Sequence, residues 1–94
     1  MDDKNISRNE IVASVKTIVS NVTFWDDDII RDLSVLQEDL AVDSMDIIDI
    51  TLMIEDKFGI VISDDTMHKM LRYTMLDVYN LVERLISEKQ KDNE

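Results

Sequence analysis

Asp43-Ser44-Met45-Asp46-Ile47, read with the run from Ile48 to Phe58, decides how the rest of the chain is understood. Apolar residues recur there at helical spacing. Ile47, Ile50, Ile54 and Phe58 form one stripe, Ile48 and Leu52 its neighbour, which predicts a helix from Ser44 to about Phe58. Asp43 is a good N-cap, and Asp46 three residues on completes a pattern like a capping box. Val42 and Ile47 stand at the two positions of a hydrophobic staple. With Asp43 as the cap, the Ser44 hydroxyl is spare. It is expected to project outward from the first turn, where backbone N–H groups and the helix dipole favour an anion such as a phosphate. Gly59, the only glycine, is the expected stop, because it takes the left-handed conformation that ends helices.

Upstream, Ser7-Arg8-Asn9-Glu10 is another capping box, with Ile6 and Ile11 as its staple. The helix it opens carries Ile11, Val12, Val15, Ile18, Val19 and Val22 on one face and is expected to end near Asn21 or Val22. From Thr23 to Val42 runs a connection long for so small a chain. Its Phe24, Trp25, Ile29, Ile30, Leu33, Leu36 and Leu40 are too apolar for disorder, so it is expected to pack over the helices. Short helical turns near Ile29–Asp32 or Leu36–Asp39 would help it do so, with Phe24 and Trp25 as core anchors.

Downstream, Ile60-Val61-Ile62 reads as an extended link dropping apolar side chains onto the bundle. Ser63 or Asp64 then caps a short third helix bearing Met67, Met70 and Leu71. Thr74-Met75-Leu76-Asp77 is a further capping-box pattern, stapled by Tyr73 and Val78. It opens a fourth helix whose inward stripe is Val78, Leu81, Val82, Leu85 and Ile86. Met53, Met67, Met70 and Met75 are expected as pliable core. The predicted fold is all-α, an irregular four-helix bundle with three main helices, a short third helix and a long first loop. Residues 1–94 form one domain, with flexible tails at about 1–5 and 88–94.

The formal charge of −11 is unevenly placed. Thirteen acids face two bases, Arg31 and Lys57, between Asp26 and Asp65; the remainder holds eight of each and is neutral. So acidic a chain is not expected to bind nucleic acid, which needs a basic face. A field concentrated around Ser44 either solvates the protein or steers basic partners to one spot. No cysteine is present, which removes disulfides and thiolate metal sites. Asp26-Asp27-Asp28 suggests calcium, yet no register nearby supplies the alternating oxygen ligands, the glycine and the closing glutamate of an EF-hand. Met1-Asp2-Asp3-Lys4 lacks the regions of a signal peptide and no apolar run approaches a membrane span, so a cytoplasmic protein without stable membrane insertion is expected.

The run Asp39-Leu40-Ala41-Val42-Asp43-Ser44-Met45-Asp46, followed by Glu55-Asp56-Lys57-Phe58-Gly59-Ile60, closely resembles the acyl carrier proteins. Their mark is an Asp-Ser-Leu-Asp box at the start of the second helix and an acidic-x-Phe segment at its end. The likeness continues through Ile62-Ser63-Asp64-Asp65 and Thr74-Met75-Leu76-Asp77, covering about Leu36 to Leu85. The chain departs from the pattern in several places. Ala41 replaces the usual Gly, Met45 the usual Leu and Ser63 a common Pro; Lys57 interrupts an acidic run, and the segment Met67 to Tyr73 is about two residues too long for the pattern. These departures point toward a dedicated carrier for a specialised pathway.

The resemblance implies that Ser44 carries 4′-phosphopantetheine, transferred from coenzyme A by a phosphopantetheinyl transferase, and that cargo rides on the arm's thiol as a thioester. An arm of this kind lets a chain without cysteine handle acyl groups in fatty-acid, polyketide or related metabolism. The implied partners are acyl-handling enzymes with basic docking patches. They would meet the row Met45, Ile48 and Leu52, flanked by Asp43, Asp46, Asp49, Glu55 and Asp56. The row is otherwise simply buried. A monomer is expected of a carrier that presents one face to many enzymes. No catalytic residue and no metal site are expected. His68, the single histidine, reads as a surface residue, since no nucleophile elbow or oxyanion feature accompanies Ser44. Other readings are an aminoacyl carrier, an acidic helical adaptor without a prosthetic group and, more remotely, a hydrolase.

Overall fold

The computed structural model of the protein describes residues 6–92; the expected fraying of residues 1–5 lies outside them. Four helices follow in order: α1 Arg8–Thr23, α2 Ser44–Phe58, α3 Asp64–Lys69, and α4 Met75–Asp92. A 3₁₀ turn, Met70–Arg72, extends α3. The caps explain these limits. The Ser7 side chain accepts from the Glu10 amide, Asp43 and Asp46 cap α2 reciprocally, and Ser63 accepts from Thr66. Thr74 and Asp77 exchange side-chain and backbone bonds of 3.1 Å at the start of α4. Gly59 closes α2 at φ 66°, in the left-handed region.

α1 packs against both α2 and α4. Ile11, Val15, Ile18 and Val19 meet Ile47, Ile50 and Ile54 and the Val78, Tyr79, Leu81 and Val82 side of α4 in one apolar core. Burying one such side chain contributes about 1.5–3 kcal/mol, so the interleaved stripes dominate the packing. Met70 and Met75 lie fully inside, and Ile60 and Ile62 seal the α2–α3 link. Tyr79 is buried and its hydroxyl has no hydrogen-bond partner. Burial, aided by the Asp32 charge, pushes its pKa up to about 12.

The connection 24–43 is held by backbone ties in place of helices. Leu36 and Gln37 donate to the Tyr73 and Leu71 carbonyls, while Met75 and Leu76 donate to Ser34 and Asp32. Val35 pairs with Thr74 in an isolated antiparallel bridge. The helical turns expected near residues 29–32 and 36–39 form as hydrogen-bonded turns. Ile30, Leu36, Leu40 and Val42 are buried as expected of a loop that packs back.

Other expectations need correction. Phe24 is no core anchor. It is 89% exposed with φ 68°, because the left-handed turn that ends α1 aims its side chain away from the bundle. Trp25, Ile29 and Leu33 are also exposed, and so is Val61, which points opposite to its buried neighbours Ile60 and Ile62 as strand-like alternation requires. Met53 lies at the surface, on the flank of α2 away from Ile50 and Ile54. Beyond Ser87, where a flexible, solvated tail was expected, the chain is helical to Asp92 while Glu88 and Lys89 stay exposed; residues 93–94 of that tail lie outside the described residues. Lys89 from this extension donates to the Gly59 carbonyl and ties down the far end of α2.

Candidate functional site: the entrance to α2

The approach to α2 is fixed by three hydrogen bonds and a turn. Asp39 accepts from the Val35 amide at 2.7 Å, and Val42 donates to Leu36 at 2.9 Å. The Trp25 indole Nε1 donates to the Leu40 carbonyl at 3.0 Å. Ala41 then turns the chain with φ 57°, a left-handed value unfavourable to a residue with a Cβ. That value explains why glycine suits this position. Val42 drops into the core, and Asp43 emerges extended as the N-cap.

Asp43 Oδ1 accepts from the amides of Met45 at 3.0 Å and Asp46 at 2.8 Å. The Asp46 carboxylate accepts in return from the Asp43 amide at 3.2 Å. The Asp46 amide chiefly, with that of Met45 in support, holds the Asp43 carboxyl below its ordinary 3.8 against a partial desolvation that raises it. Ser44 is exposed on the first turn, and its hydroxyl takes no part in the cap. Three of the first-turn amides are already engaged. Those of Met45 and Asp46 are taken by Asp43 Oδ1 and that of Ile47 by the Asp43 carbonyl, and two carboxylates already occupy the helix start.

The flanking row divides as the neighbouring stripes suggest. Met45 is 73% exposed, Ile48 45% and Leu52 57%, whereas Ile47, Ile50 and Ile54 are sealed. Asp49 and Asp56 are exposed beside the row. Asp46 is half-buried in the cap, and Glu55 is half-buried with its carboxylate accepting from the Ile62 amide at 2.7 Å. Glu55 thus braces the α2–α3 link. Asp43, Asp49 and Asp56 carry the acidic rim. His68 is exposed on α3, its Nδ1 2.8 Å from the Asp64 carbonyl, and nothing brings it to Ser44. Among the described residues no group of three or more His, Asp or Glu could hold a metal, and no helix is long and apolar enough to cross a membrane.

Sequence reasoning missed the Trp25–Leu40 bond, which brings the end of α1 to the entrance of α2. Only the tertiary structure reveals it. The strain at Ala41 did have a signal, an alanine where glycine is usual.

A family model described as the phosphopantetheine attachment site matches residues 13–72, which include this whole entrance. The chain belongs to that family: it is a non-catalytic carrier whose prosthetic group is covalently attached 4′-phosphopantetheine. Within it, the chain is similar to curated proteins named acyl carrier protein. That of Thermotoga maritima is 31% identical over 78 residues, covering 83% of this chain and 94% of the relative. That of Campylobacter lari is 32% identical over 75 residues, covering 80% and 95%.

The geometry around Ser44 suits the prosthetic group. An exposed primary hydroxyl, released from capping by its neighbour and clear of the core, accepts a phosphodiester without breaking a structural bond. The residues fit.

Proposed function

We propose that Ser44 is the attachment point and that the protein ferries acyl groups as thioesters between enzymes of fatty-acid, polyketide or a specialised acyl metabolism. The observation that carries this is the free Ser44 hydroxyl beside a closed Asp43–Asp46 cap, inside the matched segment. The protein's own part is positional. Asp43 closes the helix end so that Ser44 stays available, and the rigid first turn presents its hydroxyl on the outside. Loading is performed by a phosphopantetheinyl transferase: the Ser44 oxygen attacks the pyrophosphate of coenzyme A, a new O–P bond forms, and adenosine 3′,5′-bisphosphate leaves. The serine proton passes to a base of that enzyme, since the carboxylates beside Ser44, those of Asp43 and Asp46, are engaged in the cap. When bound, the arm supplies the thiol that holds the cargo.

Met45, Ile48 and Leu52, rimmed by Asp43, Asp49 and Asp56, form the face offered to acyl-handling enzymes. Apolar anchors give the affinity, and the acids select partners with basic patches. Each exposed ion pair is worth about 0–1 kcal/mol, which suits rapid exchange among enzymes. The protein acts as a monomer in the cytoplasm.

Intact mass after incubation with coenzyme A and a broad-specificity transferase tests the assignment. One added phosphopantetheine on the wild type and none on Ser44→Ala is the expected result. An unchanged wild-type mass, or an arm that persists in Ser44→Ala, overturns it.

A further inference from the structure

The approach to α2 turns on one peptide group. Leu40 is fixed on one side of it, its amide donating to the Val35 carbonyl at 3.2 Å and its side chain buried. Val42 is fixed on the other, its amide donating to the Leu36 carbonyl at 2.9 Å and its side chain buried as well. Between them lie the Leu40 carbonyl and the Ala41 amide. Among the described residues, the bond that holds this group comes from the Trp25 indole, whose Nε1 donates to the Leu40 carbonyl at 3.0 Å.

Rotating a peptide plane between two fixed Cα atoms changes only ψ of the residue before it and φ of the residue after it. Such a flip would carry Ala41 from φ 57° to a negative value, which suits a residue with a Cβ. It would also turn the Leu40 carbonyl away from Trp25. The indole bond therefore opposes the motion that would relieve the strain. Trp25 is mounted firmly enough to do so. The Ser20 hydroxyl donates to its carbonyl at 2.6 Å, and its amide donates to Thr23 Oγ1 at 3.3 Å. Thr23 Oγ1 in turn donates to the Val19 carbonyl at 2.7 Å, inside α1. The Trp25 ring stays 39% exposed, so its polar edge matters here as well as its buried area.

Asp43 comes two residues after Ala41, and its seat as N-cap depends on where that turn sends the chain. Serine caps a helix about as well as aspartate does. Once the approach loosens and Asp43 leaves the helix end, Ser44 becomes the next cap, with its side chain accepting from the amides of Asp46 or Ile47. The hydroxyl then serves the helix and is no longer spare. We propose that Trp25 is a positioning residue for arm loading: its indole bond holds the Leu40–Ala41 peptide in the strained orientation that seats Asp43 in the cap and leaves the Ser44 hydroxyl available. This rests on Ser44 being the loaded residue.

The test follows arm transfer from coenzyme A to the full-length protein by a broad-specificity phosphopantetheinyl transferase, at a series of carrier concentrations. Trp25→Phe keeps a ring and removes the donor. Only the clamped conformer is a substrate, so the expected result is a KM raised about two- to fivefold with kcat retained. Ala41→Gly added to Trp25→Phe accepts the left-handed turn without a clamp and should bring KM back to the wild-type value. Hydrogen exchange at the Val42 and Asp43 amides should quicken in Trp25→Phe and slow again in the double variant. An unchanged KM in Trp25→Phe overturns the proposal. So does a raised KM that Ala41→Gly leaves in place, which would mean that the ring touches the transferase itself. Unfolding of both variants at the assay temperature would make Trp25 a support of the whole bundle, and overturns it too. Failure of the wild type to accept an arm removes the Ser44 reading instead.

Discussion

Both ends of α2 adjoin a left-handed backbone turn and otherwise differ. At the exit, Gly59 turns the chain at φ 66° with no Cβ to strain, Lys57 suits the dipole, and Lys89 reaches across from α4 to the Gly59 carbonyl. At the entrance, Ala41 makes a similar turn at φ 57°, and the residues that follow are acids and a spare serine. Phe24, the other non-glycine residue with positive φ among those described, is tied to this same end through the neighbouring Trp25 and its bond to Leu40. Strain thus collects at the entrance of α2 and is absent where its exit is fastened to the bundle. Backbone strain persists when the surroundings over-determine it, and functional sites are where it gathers.

Gly59→Ala should break the contrast most strongly. A Cβ there adds the left-handed penalty, on the order of 1–2 kcal/mol, and meets Lys89 Nζ at 3.3 Å. The flexible lysine end gives way, but the bond to the Gly59 carbonyl is disturbed in doing so. The expected outcome is a urea midpoint lowered with an unchanged m-value, read by far-UV circular dichroism. A neutral substitution would mean that the exit carries no more demand for glycine than the entrance does.

Ala41→Gly is the mirror experiment and should act in the opposite direction. Relief of the left-handed backbone exceeds the added freedom of the unfolded glycine chain, for a net gain of roughly 0.5–1 kcal/mol. The same denaturation measurement checks it, and a loss of stability would show that Ala41 fits its turn without strain. Arm transfer to the variant gives a second reading. A more stable entrance that loads more slowly would mean that the strained approach helps present Ser44.

How far the sequence revealed this contrast follows from the range of the forces involved. Helix starts were legible because caps are local: Ser7 with Glu10, Asp43 with Asp46 and Thr74 with Asp77 are each separated by three residues. The two stripes of α2 were legible because a 3.6-residue period sorts Ile50 from Leu52 without knowledge of any neighbour. Phe24 and Leu33 were not, since a loop has no period to say which apolar residue turns inward. That choice is made by distant backbone partners such as the Tyr73 carbonyl for Leu36. The bond that Glu55 makes was hidden for a related reason. Its place on the acidic flank is sequence information, whereas its bond to the Ile62 amide depends on how the chain returns after Gly59. The spare hydroxyl of Ser44 was legible as what a helix capped by its neighbour leaves free.

The smallest expected effect concerns pH and belongs to the entrance alone. Amides hold the Asp43 carboxyl below 3.8, so folding favours its charged form. A depressed folded pKa means that the contribution of this group is complete above the unfolded value and is lost as pH falls through the folded one. Asp43→Asn keeps a good N-cap without a titrating group. The gap in stability between wild type and Asp43→Asn should therefore stay level from neutrality down to about pH 5 and close only in more acid solution. The chain has 21 acids, and the difference between the two proteins cancels the titrations they share. A gap that ignores acid would mean that α2 begins on hydrogen-bond geometry alone. A gap that closes near the expected pH shows that the charge next to Ser44 is part of what holds the helix end shut, and so part of what keeps its hydroxyl free.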